Sequence, residues 1–314
     1  MTTSRIIPPA TATAPGKIIL VGEHAVVYGR PAIAAPVRQV RATATVSQRN
    51  GTGVLLVAPQ IGLSGQLVHL PDDHPLARVT RLTLDELGLD DPNWQIQLTS
   101  TIPIAGGLGS GAAVNAALVR ALFAYASGLV NDATVSRLVY AGEQLHHGTP
   151  SGIDNTVIAY GEPVWFIKDA ALERFTPGAR ITLVIGDSGI PAPTRETVAA
   201  VRAGWEADPL RYEGWFDAIA RIARQAKNAL EAGNAAALGR LFDENQTYLA
   251  RLGVSSPKLE LLLAAARHAG ALGAKLSGGG RGGNVIALVD EDAAAPVSEA
   301  LLAAGAARVI VTNI

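Results

Sequence analysis

The stretch Gly106-Gly107-Leu108-Gly109-Ser110-Gly111-Ala112-Ala113 lies between a predicted strand at residues 94–99 and a predicted helix at residues 114–126. Glycines at the start of a helix let backbone N–H groups approach an anion, and the helix N-terminus adds about half a positive charge in the same direction. The stretch therefore predicts a phosphate site. The alternative is a plain glycine turn that caps the helix.

Two familiar phosphate-binding patterns do not fit this stretch. A P-loop needs a lysine directly after its last glycine, and no lysine follows these glycines. A dinucleotide-binding fingerprint opens the first βαβ unit of a parallel sheet, whereas about a hundred residues precede this stretch. If the phosphate belongs to ATP, its cation must come from another part of the chain.

The composition excludes several classes of protein. The chain has 314 residues, which suits two domains or one large one, and 26 Lys and Arg against 27 Asp and Glu give a net charge of −1. No global basic field therefore favours nucleic acid or an anionic membrane as a partner. The chain has no cysteine, which excludes disulfides, thiolate nucleophiles and cysteine-ligated metals. With neither a secretory leader nor a membrane-length apolar run, we expect a soluble cytoplasmic protein.

Hydrophobic periodicity predicts an α+β fold with two layers in each half of the chain. The predicted strands cover residues 17–21, 39–46, 54–57, 94–99, 164–167 and 181–185, and the predicted helices cover residues 75–87, 114–126, 133–145, 194–207, 215–232, 235–251 and 257–268. Asp72 or Asp73 is expected near the start of the first helix, and Asp132 is the expected N-cap of the third. After these, a strand, a glycine loop, a strand, a helix and a final strand at residues 309–312 are expected. The predicted domains are residues 1–175 and 176–314.

Polar residues flank the apolar strand near the N-terminus. Lys17 stands at its start, and Glu23 and His24 follow it after Gly22. Lys17 either approaches a substrate oxygen or a catalytic carboxylate, or is a solubilising lysine at a strand edge. Glu23 and His24 either bind hydroxyl groups or only cap a turn.

A second polar cluster contains two carboxylates. Glu143 lies near a predicted helix end, and glycines and a proline in residues 148–152 predict a tight loop that returns Asp154 toward the same space. One carboxylate for Mg²⁺ and one for an attacking hydroxyl are recurring parts of phosphoryl transfer. A zinc site at His146 and His147 is disfavoured, because adjacent histidines rarely face one metal.

A third cluster contains the second glycine-rich segment. Residues 275–284 read KLSGGGRGGN, with five glycines in six positions at residues 278–283. Such a backbone can wrap closely around a ligand or around another segment of the protein.

These three segments, in this order and spacing, resemble the motifs of the GHMP small-molecule kinase superfamily. The segments GEHAVVYGRPA at residues 22–32 and GTPSGIDN at residues 148–155 are similar to those of its mevalonate kinases. The resemblance covers most of the chain. It implies a two-domain GHMP kinase fold, with an N-terminal domain like ribosomal protein S5 domain 2 and a ferredoxin-like C-terminal layer. It also implies transfer of a phosphoryl group from ATP to the 5-hydroxyl of (R)-mevalonate with Mg²⁺, in the mevalonate route to isoprenoids.

The resemblance also assigns residue roles. Asp154 would take or orient the proton of the attacking hydroxyl, and Lys17 would steady that carboxylate and the transferred phosphoryl group. Ser110 and Glu143 would bind Mg²⁺. The residues expected to hold ATP are Pro103, Gly106, Gly107, Leu108, Gly109, Ser110, Gly111 and Ala112. The residues expected to bind mevalonate are Glu23, His24, Ser151, Asp154, Thr194, Arg195, Ser277, Gly278 and Gly279.

Three positions depart from the pattern that the resemblance implies. Gly111 stands where the family commonly has a serine that binds Mg²⁺, so either Ser110 turns to the metal or a water replaces the missing ligand. Arg281 interrupts the glycine run, and it either contacts phosphate or points outward, which we favour. Ala192 replaces a frequent basic residue, which leaves Arg195 as the candidate partner of the substrate carboxylate.

Two alternatives to a mevalonate kinase stay open. The first is another kinase of the same superfamily that acts on phosphomevalonate or a sugar. The second is a regulator that keeps the fold without catalysis. Neither nucleic acid nor a membrane is expected as a partner, and the resemblance is compatible with a homodimer.

Overall fold

A computed structural model describes residues 8–103, 106–147 and 151–314, without the side chains of residues 145–147. These residues divide into two compact units. The first unit contains residues up to Gly16, Val40–Ile102 and Gly109–Gly161, and the second contains Lys17–Gln39, Pro103–Leu108 and Glu162–Ile314. Each unit is formed by three separate segments of the chain. The single domain boundary expected after residue 175 stays a prediction.

The first unit is built on a sheet whose strands follow the order β4-β3-β5-β2. These strands are β2 (Ala32–Gln48), β3 (Leu55–Ala58), β4 (Leu63–Gln66) and β5 (Trp94–Ser100), while β1 (Ala10–Val21) pairs with β2. Strands β3 and β5 run parallel, whereas β2 with β5 and β3 with β4 form antiparallel pairs. Alternate residues of β2, such as Ala42, Ala44 and Val46, are buried, as expected for a strand with one face on a core.

Four helices complete the first unit: α1 (Pro75–Glu86), α2 (Ser110–Ala126), α3 (Asp132–His147) and α4 (Ile153–Tyr160). Helix α2 is apolar on nearly all sides, with ten buried residues, which makes it the central helix of this layer. Gly142 on α3 has no room for a side chain, since a Cβ there would lie 2.3 Å from Val79 Cγ2 of α1. The glycine thus permits close packing of α3 on α1.

The second unit contains an antiparallel four-stranded sheet in the order β11-β8-β10-β9. Its strands are β8 (Thr182–Asp187), β9 (Gly273–Ser277), β10 (Asn284–Val289) and β11 (Arg308–Asn313), and the short strands β6 (Val164–Phe166) and β7 (Glu173–Arg174) extend the part of β2 that belongs to this unit. Every residue of β10 is buried, and all of them except Asn284 at its start are apolar.

The second unit also contains five helices: α5 (Thr194–Ala207), α6 (Pro209–Glu231), α7 (Ala235–Arg251), α8 (Pro257–His268) and α9 (Ala294–Ala303). Helices α7, α8 and α9 pack on this sheet, while α6 packs on α7 and α5 packs on α6. Helix α7 lies against β9 so closely that a Cβ on Gly273 would be 1.9 Å from the carbonyl oxygen of Gly239. Phe216, Phe242 and Leu262 are among the fully buried residues of this core. No helix in the described part of the chain combines the length and hydrophobicity that a bilayer crossing needs.

The α+β fold is confirmed, and the predicted bounds of α5, α7 and α8 agree with the structure. Asp72 and Asp73 lie just before the start of α1, as expected, and the His74 ring caps that helix. One predicted cap is wrong: Asn131 rather than Asp132 accepts a hydrogen bond from the Thr134 N–H at 2.8 Å. Asp132 instead pairs with Arg120 at 2.7 Å.

Three elements were missed by the sequence analysis: α4, β4 and β7. Helix α4 was expected to be part of a loop, but Gly152 adopts φ 89° and starts the helix at Ile153. Of the predicted tight loop, residues 148–150 lie outside the described residues.

Candidate active site

Hydrogen bonds join three segments of the second unit: residues 17–19 of β1, residues 106–108 and residues 277–284. We call this the three-segment junction. The Lys17 N–H donates to the carbonyl oxygen of Leu108 at 2.9 Å. The Ser277 hydroxyl accepts from the Ile19 N–H at 3.0 Å and donates to the Ile19 carbonyl at 2.9 Å. Two predicted nucleotide or substrate segments are thus attached to the strand that carries Lys17.

The buried Ser277 side chain uses its hydroxyl to hold β1. A hydroxyl has one hydrogen to donate, and Ser277 donates it to Ile19. The structure therefore supports a role for Ser277 in placing β1 and Lys17, whose side chain is 4% exposed.

The first glycine-rich segment, at residues 106–107, contacts the third cluster, at residues 275–284. The Asn284 side-chain Nδ2 donates to the carbonyl oxygen of Gly106. A Cβ on Gly107 would lie 3.8 Å from the Ser277 carbonyl oxygen, and a Cβ on Gly106 would lie 3.2 Å from Pro103 Cβ. Gly107 adopts φ 80°, a conformation that favours glycine. The two segments are therefore in direct backbone contact.

The glycines of the third cluster are surrounded by protein. A Cβ on Gly280 would lie 2.1 Å from the Val254 carbonyl oxygen, and one on Gly282 would lie 2.6 Å from that of Ile190. Arg281 adopts φ 58°, and its exposed side chain donates from Nε to the Gly253 carbonyl at 3.1 Å. Most of this segment wraps around other protein segments, with its arginine bonded at the surface.

His24 lies in a tight turn against the third cluster. A Cβ on the preceding Gly22 would be 2.4 Å from Ala32 Cα, so only glycine fits where the turn leaves β1. His24 itself adopts φ 61°, which is uncommon for a residue with a side chain. The His24 ring is buried, and its Nε2 lies 3.0 Å from the Gly279 carbonyl oxygen. Since a carbonyl can only accept, Nε2 carries the proton of this hydrogen bond.

Glu23 and Lys275 form a buried ion pair beside His24. Lys275 Nζ donates to Glu23 Oε1 and to the Leu276 carbonyl, and the two side chains are at most 1% exposed. Asn245 of α7 donates to the other oxygen of Glu23, Oε2, at 3.1 Å. Both carboxylate oxygens of Glu23 therefore have protein partners, which supports a positioning role for this predicted substrate ligand.

Burial shifts the titration of two of these groups. It lowers the pKa of His24 to about 4, and the positive charges of Arg281 and Lys275 act in the same direction while the bond to Gly279 opposes them. Burial also lowers the pKa of Lys275, against the attraction of Glu23. At neutral pH the His24 ring is neutral, and with its proton on Nε2 it presents Nδ1 as a hydrogen-bond acceptor.

Thr194 also lies near Gly279, at the first residue of α5. A Cβ on Gly279 would lie 2.8 Å from Thr194 Oγ1. Thr194 and Arg195 are both exposed. Of the residues predicted to bind the acceptor, the second unit thus brings His24, Thr194 and Gly279 together.

The rest of the first glycine-rich segment lies in the first unit. Gly109 adopts φ 71° as N-cap of α2, and Ser110 is the first residue of that helix. Gly111 is exposed, and a Cβ placed there would meet no atom within 4 Å. Ala112 is buried in the core. The helix start therefore offers an open backbone surface at Gly111.

The predicted carboxylates also lie in the first unit. Glu143 on α3 and Asp154 in the first turn of α4 are both half-buried. Ser151 Oγ accepts from the Ile153 N–H at 3.4 Å, a weak bond at the start of α4. Asn155 donates to Ser136 Oγ at 2.8 Å and so attaches α4 to α3. The side chains of His146 and His147 lie outside the described residues, and elsewhere in the described chain no group of three or more His, Cys, Asp or Glu is placed for a metal.

Sequence analysis missed the roles of Lys275, Asn245 and Asn284. A signal existed for Lys275, because a lysine inside the apolar strand Gly273–Ser277 needs a buried carboxylate partner. Asn245 carried no such signal, because it lies on an ordinary amphipathic helix. Asn284 follows the last glycine of the run, but nothing in the sequence indicates that it reaches Gly106.

Comparison with known proteins places both halves of the chain in one family. Residues 75–162 match the family described as GHMP kinases N terminal domain, and residues 226–307 match GHMP kinases C terminal. A mevalonate kinase of Thermococcus onnurineus is 34% identical over 300 residues, covering 89% of each chain. A mevalonate kinase of Aeropyrum pernix is also 34% identical, covering 90% of this chain and 89% of the relative.

Solved structures agree with this relationship. The structure of L. major mevalonate kinase in complex with R-mevalonate superposes with a TM-score of 0.85 at 27% identity, covering 97% of this chain and 95% of that one. Methanococcus jannaschii mevalonate kinase gives a TM-score of 0.82 at 25% identity, with 98% of each chain covered. A Lactococcus lactis galactokinase at 21% identity shows the fold alone, with a TM-score of 0.76 over 97% of this chain and 92% of that one. The chain therefore belongs to the mevalonate kinase family of the GHMP kinases.

Proposed function

We propose that this protein transfers the γ-phosphoryl group of ATP to the 5-hydroxyl of (R)-mevalonate, giving 5-phosphomevalonate and ADP. The observation that carries the proposal is the similarity of about nine-tenths of the chain to relatives named mevalonate kinase. The cluster of His24, Thr194 and Gly279 supports it, because it offers polar groups for a small hydroxylated acceptor.

The residues proposed for ATP are Pro103, Gly106, Gly107, Leu108, Gly109, Ser110, Gly111 and Ala112. Two observations support them as a phosphate site. The start of the 17-residue helix α2 carries partial positive charge, and the space over Gly111 is open. Backbone N–H groups at this helix start would hold the phosphates, and the positive charge that a P-loop lysine supplies would come from another segment.

Ser110 and Glu143 are proposed to hold Mg²⁺ with the nucleotide. A hydroxyl and a carboxylate are oxygen donors of the kind that Mg²⁺ prefers, and Mg²⁺ keeps several waters, so a site needs few protein ligands. When bound, the ion would neutralise charge on the phosphates. Because Gly111 has no side chain, Ser110 supplies the only hydroxyl at residues 109–112.

Asp154 is proposed to take or orient the proton of the attacking hydroxyl. Its place in the first turn of α4 keeps the carboxylate beside the positive end of a helix. Lys17 is proposed to steady the transferred phosphoryl group. No covalent intermediate is required, because positioning and charge neutralisation account for most of the catalysis in phosphoryl transfer.

The acceptor site is proposed to consist of His24, Ser151, Asp154, Thr194, Arg195, Gly278 and Gly279, with Glu23 and Ser277 behind them. Because its proton is on Nε2, the neutral His24 ring presents Nδ1 as a hydrogen-bond acceptor. This atom suits a hydroxyl group of mevalonate better than its carboxylate. Arg195, exposed at the start of α5, is proposed to bind the carboxylate. Glu23 and Ser277 would act by holding His24 and β1 in place.

Two competing functions are less well supported. Phosphomevalonate kinase is represented among the structural neighbours at 17% identity, which shows the fold alone. A silent regulator would not need Lys17, Glu143 and Asp154 together. We also propose that the protein acts in the cytoplasm, as a homodimer and without a nucleic-acid or membrane partner, which its near-zero net charge supports.

An acceptor panel tests the proposal. ADP release is measured with (R)-mevalonate, phosphomevalonate, galactose and homoserine at equal concentrations. Of the four acceptors, we expect only (R)-mevalonate to give turnover. Ordinary rates with another acceptor and none with (R)-mevalonate would overturn the assignment.

The Asp154→Asn variant tests the catalytic role. We expect ATP binding to be retained while kcat falls about a thousandfold, since the variant keeps the shape but loses the base. Unchanged turnover would remove Asp154 from proton handling.

A further inference from the structure

We propose that Asn284 is a positioning residue for nucleotide binding: its side-chain amide fixes the peptide group between Gly106 and Gly107 and so aims the Gly107 N–H at the phosphates. The inference rests on the proposed ATP site and adds a residue from the third cluster to it.

The position of Asn284 is set by the sheet. It is the first residue of the central strand β10, where it pairs with Ser277 of β9 on one side and Asp187 of β8 on the other. The residue is 1% exposed. A side chain anchored between two strands has little freedom, so its amide presents a fixed donor to the Gly106 carbonyl.

The geometry of the peptide bond transmits this constraint. The described peptide bonds are all trans, and in a planar trans peptide the C=O and the next N–H point in opposite directions. Fixing the Gly106 carbonyl toward Asn284 therefore turns the Gly107 N–H away from it. Without the Asn284 amide, the peptide group between Gly106 and Gly107 could rotate at small energetic cost, because glycine allows many backbone conformations.

Gly283 lies beside the same carbonyl oxygen. A Cβ on Gly283 would lie 3.3 Å from the Gly106 carbonyl oxygen, and a Cβ on Gly107 would lie 3.9 Å from Asn284 Nδ2. The Gly106 carbonyl oxygen thus lies between the Asn284 amide and the backbone of Gly283, where a side chain would crowd it. Rotation of the peptide would move this oxygen out of the contact.

The amide is only half satisfied. Asn284 Oδ1 is buried without a hydrogen-bond partner among the described residues. Leaving such an acceptor unpaired costs free energy. An asparagine kept only for packing would be replaced at little loss by an apolar residue of similar size, so its value lies in the Nδ2 donor.

Equilibrium ATP binding to Asn284→Leu tests the inference. Leucine keeps the volume and removes the donor. We expect the Kd for ATP to rise about tenfold, the KM for ATP to rise in parallel, and the KM for mevalonate and kcat to change less than about threefold. Thr312→Val is the matched control, because Thr312 is a fully buried side chain of the same sheet whose Oγ1 also lacks a described partner; its Kd for ATP should equal that of the wild type.

An unchanged Kd for ATP in a folded Asn284→Leu protein would overturn the inference. The inference would also be overturned if the Kd for ATP and the KM for mevalonate rose by similar factors while the melting temperature fell, because that pattern indicates a purely structural role. If Asn284→Leu does not fold, Asn284→Ser is measured with the same criteria, since its hydroxyl is too short to reach Gly106. Failure of the wild type to bind ATP would instead contradict the proposed function.

Discussion

The two glycine-rich segments of this protein use glycine for different reasons. At Gly111, in the segment at residues 106–113, a side chain would point into open space. At Gly280 and Gly282, in the segment at residues 277–284, a side chain would collide with backbone carbonyl oxygens of other segments. The first segment thus exposes backbone at a helix start, a kind of position that favours anions, whereas the second is mostly a packing element. Sequence alone does not separate these two uses.

The Lys275→Met variant, two residues before the second segment, should have the largest effect on stability. It leaves Glu23 as a buried charge without its cation, and we expect the free energy of unfolding to fall by about 3 to 5 kcal/mol. The double variant Lys275→Met with Glu23→Gln removes both charges and should lose less than Lys275→Met alone. Urea unfolding of the wild type, of Lys275→Met, of Glu23→Gln and of the double variant measures this. Losses that simply add would show that the two residues are not coupled.

The Gly280→Ala variant tests the packing claim directly. A Cβ at 2.1 Å from the Val254 carbonyl and a φ of 81° should together lower the free energy of unfolding by about 3 kcal/mol. Gly253→Ala is the matched control, because its φ is 73° and its Cβ would meet nothing within 4 Å. It should lose only about 1 kcal/mol, the cost of the backbone conformation. Equal losses would contradict a role for close packing.

The contrast between the segments also shows what the sequence could reveal. The amphipathic helices α5, α7 and α8 could be predicted to the residue because a regular apolar stripe and a preceding cap or proline mark their bounds. Helix α4 was missed because it has only eight residues and follows a segment rich in glycine and proline. The cap of α3 was misassigned because Asn131 and Asp132 are adjacent residues of similar capping preference.

The site was predicted less completely than the fold, for a physical reason. The motifs predict which segments form the site, but they do not indicate which of its side chains have their polar atoms satisfied by the protein itself. Glu23 and Ser277 read as substrate ligands, yet Lys275, Asn245 and the Ile19 backbone satisfy their polar atoms. These contacts join residues more than 200 positions apart, so local sequence patterns cannot indicate them.

A pH series of the free energy of unfolding tests the burial of His24, whose ring is hydrogen-bonded to Gly279 of the second segment. Because the folded pKa of about 4 lies below the usual 6.5, the unfolded chain binds more protons between these values, so stability is full above pH 6.5 and is lost as the pH falls toward 4. We expect about 2 kcal/mol less stability at pH 5 than at pH 7 from this residue. His24→Asn, which tolerates a positive φ, should remove that difference. An identical pH dependence in both proteins would show that His24 does not titrate in this way.

The Gly111→Ser variant should have the smallest effect. Serine fits the open space and restores the hydroxyl that the family commonly has, so the free energy of unfolding should change by less than about 0.5 kcal/mol. The Kd for ATP should stay the same or fall. A sharp loss of ATP affinity would mean that the backbone at Gly111 is used differently.

The most direct test of the difference between the two segments is the Kd for ATP of Gly111→Leu, measured beside its free energy of unfolding. If the first segment leaves its backbone open for the nucleotide, leucine will keep wild-type stability to within about 0.5 kcal/mol and raise the Kd at least about tenfold. A folded Gly111→Leu protein with wild-type ATP affinity, or one destabilised as strongly as Gly280→Ala, would contradict this account.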